Sequence, residues 1–195
     1  MTRARRLRRA CAGIAGVLTL AVTLHSASAM EVAGVRLEDR ISANGRELVL
    51  NGAGVRTRAI FKVYAAGLYL PTKTTDAAAA LAASARRIEL HLLRTLSSDQ
   101  LVEALNDGLK QNLSETELGA IRPQATQLSE IMQSLKQVKE GDVVALDYAD
   151  GITRILQGTE VKGTIPGEAF SRALGRIWLG ERAVQADLKK ALLGG

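Results

Sequence analysis

A chain of 195 residues with 26 Lys and Arg against 20 Asp and Glu reads as basic, but five of the arginines fall in the first nine residues and residues 1–29 hold no acid. Without that stretch 21 basic residues (26 less five) face 20 acidic ones, about +1 at neutral pH, so no basic footprint for nucleic acid remains. The single cysteine, Cys11, lies in the same stretch; the remainder has one histidine and no thiol, so neither a metal site, a cofactor nor a disulfide is expected.

The first 29 residues have the pattern of a secretory leader. Arg3, Arg5, Arg6, Arg8 and Arg9 precede an apolar run from Ala10 to Leu24, and Ala27-Ser28-Ala29 supplies small residues for cleavage after Ala29. The run is too short to cross a bilayer, and no apolar lipobox precedes Cys11. Cleavage would leave a protein of the periplasm or the exterior with no membrane span. Residues 30–195 are enough for one domain with a sizeable core, and no linker or repeat divides them.

In chain order, Glu31–Leu37 and Arg46–Leu50 alternate partly, and Asn44-Gly45 between them suggests that they form a hairpin. Gly52 and Gly54 permit a bulge or a close approach. A strand from Arg56 to Leu70 follows, carrying Lys62, Tyr64 and Tyr69 and ending at Pro71. Thr75 or Asp76 caps a short helix over Ala77–Ala83. Arg86–Thr95 alternates as a half-exposed strand with His91 on its polar side, read as a solvated residue rather than an acid–base group.

Residues 97–138 read as two helices, the first capped by Ser98 or Asp99 and striped by Leu101, Val102, Leu105, Leu109 and Leu113. Ser114 with Glu117 is a capping-box pattern, and Pro123 breaks the chain before the stripe resumes. Strands over Asp142–Tyr148, Ile152–Leu156 and Thr159–Lys162 are joined by Asp150-Gly151 and Gly158. Glu168–Leu179 is a helix with Phe170, Leu174, Ile177 and Trp178 on one face, ended by Gly180, and Glu181 to Leu193 is a last amphipathic helix. Consecutive strands favour antiparallel pairing, and the class is α+β with helices layered on one face of a sheet.

No nucleophile elbow, zinc-binding helix, P-loop or dinucleotide fingerprint is present. What remains is Arg and Tyr beside a glycine pair. An arginine binds a carboxylate bidentately and a tyrosine adds one directed hydrogen bond, so the implied ligand is an anion with an apolar body. In a straight strand Arg56 and Tyr64 share a face with Arg58, Ile60 and Lys62 but stand about 26 Å apart. They meet only if the chain bends between them; otherwise Arg56 and Arg58 are edge residues and Tyr64 packs under a helix.

GAGVR (Gly52–Arg56), FKVYAAGLYL (Phe61–Leu70) and FSRALGRIWLG (Phe170–Gly180) resemble the chalcone isomerase-like family, in its bacterial secreted branch, over nearly the whole chain beyond the leader. The resemblance implies an open-faced β-sandwich, a curved antiparallel sheet covered by helices with a cleft between them. Plant members cyclise chalcones; plastid relatives bind fatty acids. Both groups use the arginine that matches Arg56. The enzymes have a threonine where Tyr64 stands, and the fatty-acid binders a tyrosine. The enzymes also carry a Tyr and an Asn at positions that align with Leu101 and Gly108, and their segment between the matches of Arg56 and Tyr64 is longer.

Three readings follow. The first is a noncatalytic periplasmic protein binding a fatty acid or similar amphiphilic carboxylate through Arg56 and Tyr64. The second is an isomerase or intramolecular lyase on a phenolic or enone substrate. The third is an envelope protein with no small ligand.

Overall fold

The computed structural model describes residues 29–195; the expected leader lies outside the described residues except for Ala29. The strands are β1 (Ala29–Val32), β2 (Val35–Glu38), β3 (Arg40–Ala43), β4 (Arg46–Arg58), β5 (Phe61–Leu70), β6 (Ala85–Leu92), β7 (Leu96–Ser97), β8 (Gln137–Val138), β9 (Val143–Ala149), β10 (Ile152–Gln157) and β11 (Glu160–Pro166). The helices are α1 (Ala77–Ala82), α2 (Ser98–Asn112), α3 (Glu115–Ala120), α4 (Arg122–Ser134), α5 (Glu168–Leu179) and α6 (Ala186–Leu192). Seven strands form one antiparallel, curled sheet in the order β11-β10-β9-β6-β5-β4-β3. The class is the expected α+β, with helices on the inner face.

Alternation along the strands sorts side chains into two cores. Ala66, Leu68, Ile88, Leu90, Val144, Leu146 and Ile155 meet the helices, whose buried side includes Leu109, Met132, Phe170, Leu174 and Trp178. On the other face a smaller core of Leu37, Leu48, Leu50 and Tyr69 lies under the β1–β2 hairpin.

Two strand expectations need correction. Arg46–Leu50 pairs with Arg40–Ala43, not with Glu31–Leu37. Ala33 and Gly34 both take positive φ and fold Glu31–Leu37 into a separate hairpin, while Asn44 (φ 53°) and Gly45 (φ 71°) make the tight turn between β3 and β4. The expected strand from Arg56 to Leu70 is instead the end of one strand and the whole of the next. The chain reverses at Ala59-Ile60, with Arg58 opposite Phe61. Ala59 takes φ 53° there, a role usually filled by Gly, Asn or Asp, so composition carries no turn signal.

Helix ends follow the side-chain chemistry. Asp76 accepts from Ala78 N at the start of α1. Ser97, one residue before the expected cap, closes a capping box with Gln100, and Ser114 does so with Glu117. Residues 97–138 hold three helices rather than two, because Pro123 sits in the first turn of α4, where its missing N–H costs nothing.

Gly52 and Gly54 lie inside β4, next to a register shift between Leu50 and Gly52. The pair serves helix packing rather than a ligand. A Cβ on Gly52 would stand 2.1 Å from the Ala191 carbonyl oxygen, and one on Gly54 would stand 2.8 Å from the Ala191 Cβ. Helix α6 thus lies directly on the strand that carries Arg56.

Candidate ligand-binding site

The inner face of the sheet and helices α2, α4 and α5 enclose a cavity of about 570 Å³. Its walls are mostly apolar, with Leu90, Leu92 and Val144 from the sheet and Leu101, Met132 and Ile177 from the helices. The polar groups concentrate at the β4–β5 end, where Arg56, Arg58, Tyr64 and Arg94 line the space, with Glu103 and Asp107 of α2 on the same lining.

The hairpin turn solves the geometric problem set by the sequence. Arg56 and Tyr64 are direct cross-strand partners, a relation that places Cβ atoms about 5 Å apart, and both side chains face the cavity. A register shift between Arg56 and Thr57 leaves Arg58 also on the lining, while Lys62 is exposed and Ile60 stands in solvent at the turn. The shared face expected for these five residues therefore holds for Arg56, Arg58 and Tyr64 only.

Arg56 is positioned by Gln185, the residue that precedes α6. Its Nη1 donates to Gln185 Oε1 at 3.2 Å and to the carbonyl of Thr57. The same Gln185 oxygen accepts from Thr57 N at 2.9 Å, and the Gln185 amide donates to Val55 O at 3.3 Å. One side chain thus braces the bulged end of β4. No carboxylate pairs with Arg56 among the described residues, and its Nε and Nη2 have no acceptor there.

Tyr64 is positioned from α5. Trp178, 2% exposed, donates its indole N–H to the Tyr64 hydroxyl at 3.0 Å. With one lone pair so used, the phenol keeps its own proton to donate. Burial pushes its pKa up to about 12, against smaller opposing effects from the Trp178 hydrogen bond and the Arg56 charge. Tyr64 is therefore a neutral donor beside a guanidinium, an arrangement that can accept a carboxylate.

His91 belongs elsewhere. It alternates with Leu90 and Leu92, which line the cavity, and so lies on the opposite face of β6. It is half-buried rather than solvated, with Nε2 at 2.6 Å from Glu89 Oε1. Burial raises the pKa of Glu89, but the hydrogen bonds and charges of His91 and Arg87 outweigh it and hold the carboxyl below its usual range. Among the described residues no group of three or more His, Cys, Asp or Glu could hold a metal.

Leu101 and Gly108 both line the cavity. Neither offers a side-chain hydrogen bond, and Gly108 is held to glycine by α5, since a Cβ there would stand 2.8 Å from Ile177 Cγ2. Sequence reasoning missed Arg94, Gln185 and the polar role of Trp178. Only the last had a signal, because a buried indole N–H requires an acceptor.

A curled antiparallel sheet with helices on its inner face, enclosing an apolar cavity that ends in fixed donors, defines a chalcone isomerase-like fold. The chain belongs to the chalcone isomerase-like family, whose model matches residues 29–194. Among solved structures it is similar to an Arabidopsis thaliana fatty-acid binding protein, at 13% identity and TM-score 0.66, over 82% of this chain and 92% of that one. A comparison with curated protein sequences returns no match.

Proposed function

We propose that this protein binds a fatty acid or a similar amphiphilic carboxylate without transforming it. The carboxylate sits between the Arg56 guanidinium and the Tyr64 hydroxyl, and the tail lies along Leu90, Leu92, Leu101 and Met132. The observation that carries this reading is the meeting of Arg56 and Tyr64 on the wall of an apolar cavity of about 570 Å³, within the usual range of small-molecule sites. The solved relative, described as a fatty-acid binding protein, supports it. Leu101 and Gly108 support the noncatalytic part, because neither can hydrogen-bond a substrate through its side chain. The leader pattern of residues 1–29 supports export and cleavage after Ala29, with the protein acting in the periplasm or outside the cell.

Native mass spectrometry of the purified protein tests the binding. Incubation with fatty acids of about 12 to 18 carbons, sized for such a cavity, is expected to give a one-to-one adduct that is lost in Arg56→Gln. A spectrum that stays ligand-free with every acid would overturn the reading. N-terminal sequencing of the exported protein tests the leader, with Met30 expected as the first residue.

A further inference from the structure

Four large apolar side chains stand exposed among the described residues, and two of them are neighbours. Ile60 (86% exposed) and Phe61 (53% exposed) form the tip of the β4–β5 hairpin, while Met30 and Val161 stand apart in sequence. Isolated exposed apolar residues are common; an exposed Ile on a two-residue turn, where small polar residues are usual, followed at once by an exposed Phe that opens β5, is not. Arg58 and Lys62 flank the pair in sequence, and the Arg94 guanidinium lies 4.9 Å from the centre of the Phe61 ring. None of these three cations joins an ion pair among the described residues.

We propose that this tip is a wedge that docks the protein on an anionic phospholipid surface, with Ile60 and Phe61 entering the interface and Arg58, Lys62 and Arg94 engaging the head groups. An apolar point inside a basic collar is the pattern that such surfaces bind. A two-residue point is too small for a stable protein interface, which takes about 800 Å² from each partner. Its position also fits: Arg58, Ala59, Phe61 and Arg94 belong to the cavity lining, so the docked edge is the edge at which the cavity ends. The acidic pair Glu103 and Asp107 comes from α2, which favours an approach that leads with the hairpin. The docking surface stands independently of the bound molecule; only the further statement that ligand passes between bilayer and cavity rests on the fatty-acid reading.

Ile60 and Lys62 lie outside the cavity lining, which makes the test clean. Co-sedimentation without fatty acid compares phosphatidylcholine vesicles with vesicles of equal parts phosphatidylcholine and phosphatidylglycerol. The protein is expected to bind the second kind, to bind it less as salt rises, and to leave the first kind largely unbound. Ile60→Ser should weaken binding about tenfold, and Lys62→Gln about fivefold. Fatty-acid affinity, measured without vesicles, should be unchanged in both variants, so each reading can fail alone. In Ile60→Trp, anionic vesicles should shift the new tryptophan emission to the blue, a readout that requires the tip itself to enter. Absence of vesicle binding, equal binding by wild type and Ile60→Ser, or a solution dimer that Ile60→Ser dissolves would each overturn the proposal, the last by placing a second copy of the chain on the tip.

Discussion

The two ends of the helix-covered face treat arginine in opposite ways. At the closed end Arg86, 4% exposed, donates to the carbonyls of Ala80 and Leu81 at the end of α1 and to both the carbonyl and hydroxyl of Ser171. Its guanidinium lies 5.6 Å from the centre of the Tyr148 ring, and burial lowers its pKa to about 10. Its neighbour Arg87, on the other face of β6, grips Asp147 with a fork of 2.5 and 2.7 Å. At the open end Arg56 has a glutamine oxygen and one carbonyl. The same side chain is a structural bolt where the protein supplies its acceptors and, on the proposed function, a receptor where it does not.

The sharpest break of this contrast is Asp147→Ala. It removes the fork on the partly buried Arg87, leaving it only Glu89 at 3.4 Å, and should lower unfolding free energy by about 2 kcal/mol in urea titrations, with fatty-acid affinity unchanged in the folded fraction. Arg56→Gln should do the reverse. Affinity should fall by about 1.5–3 kcal/mol, the worth of a charge-assisted hydrogen bond, read by calorimetry, while stability changes by less than about 0.5 kcal/mol. If Asp147→Ala abolished binding in fully folded protein, or Arg56→Gln unfolded the chain, the division would be wrong.

Tyr64→Phe is a smaller perturbation of the open end. It removes one neutral donor and should weaken binding by about 1 kcal/mol, with some loss of stability because Trp178 Nε1 loses its acceptor. The least change is expected from pH. Affinity should stay level through neutrality and fall on the acid side as the ligand carboxylate protonates near pH 4–5, roughly where carboxyl groups titrate. Because the folded-state pKa of Tyr64 is raised, the stability it contributes is present below about pH 10, the unfolded value, and is lost as pH rises through about 12. The chain has three tyrosines, so the difference in phenolate absorbance between wild type and Tyr64→Phe follows that step. On the opposite face Glu89, held low, contributes stability above its unfolded pKa that is lost as pH falls through its depressed folded value.

The architecture was legible because periodicity, caps and glycine turns agree along most of the chain. The stripe of α5, the capping box at Ser114 and the Asp150-Gly151 turn all appear where composition puts them. The site was legible in its residues but not in its geometry. Arg56 and Tyr64 stand out as polar groups in an apolar run, yet what joins them is a turn on Ala59 and Ile60 that no local rule marks. Gly52 and Gly54 pointed to close approach, but only the fold shows that the approaching group is α6. Gln185 and Arg94 reach the site from distant segments, and nothing in their own neighbourhoods distinguishes them from other surface polar residues.

The hollow under the sheet has a thermodynamic corollary. Atoms around unfilled space forgo part of the dispersion energy that a packed interior enjoys, so the vacant protein sits below the stability its chain could reach. On the proposed function, a tail lying there would restore those contacts and shift the folding balance by mass action, about 2.7 kcal/mol at a hundredfold excess over Kd. Resistance to heat and proteolysis would then rise and fall with the supply of guest, making the protein's own persistence a gauge of how much amphiphile surrounds it.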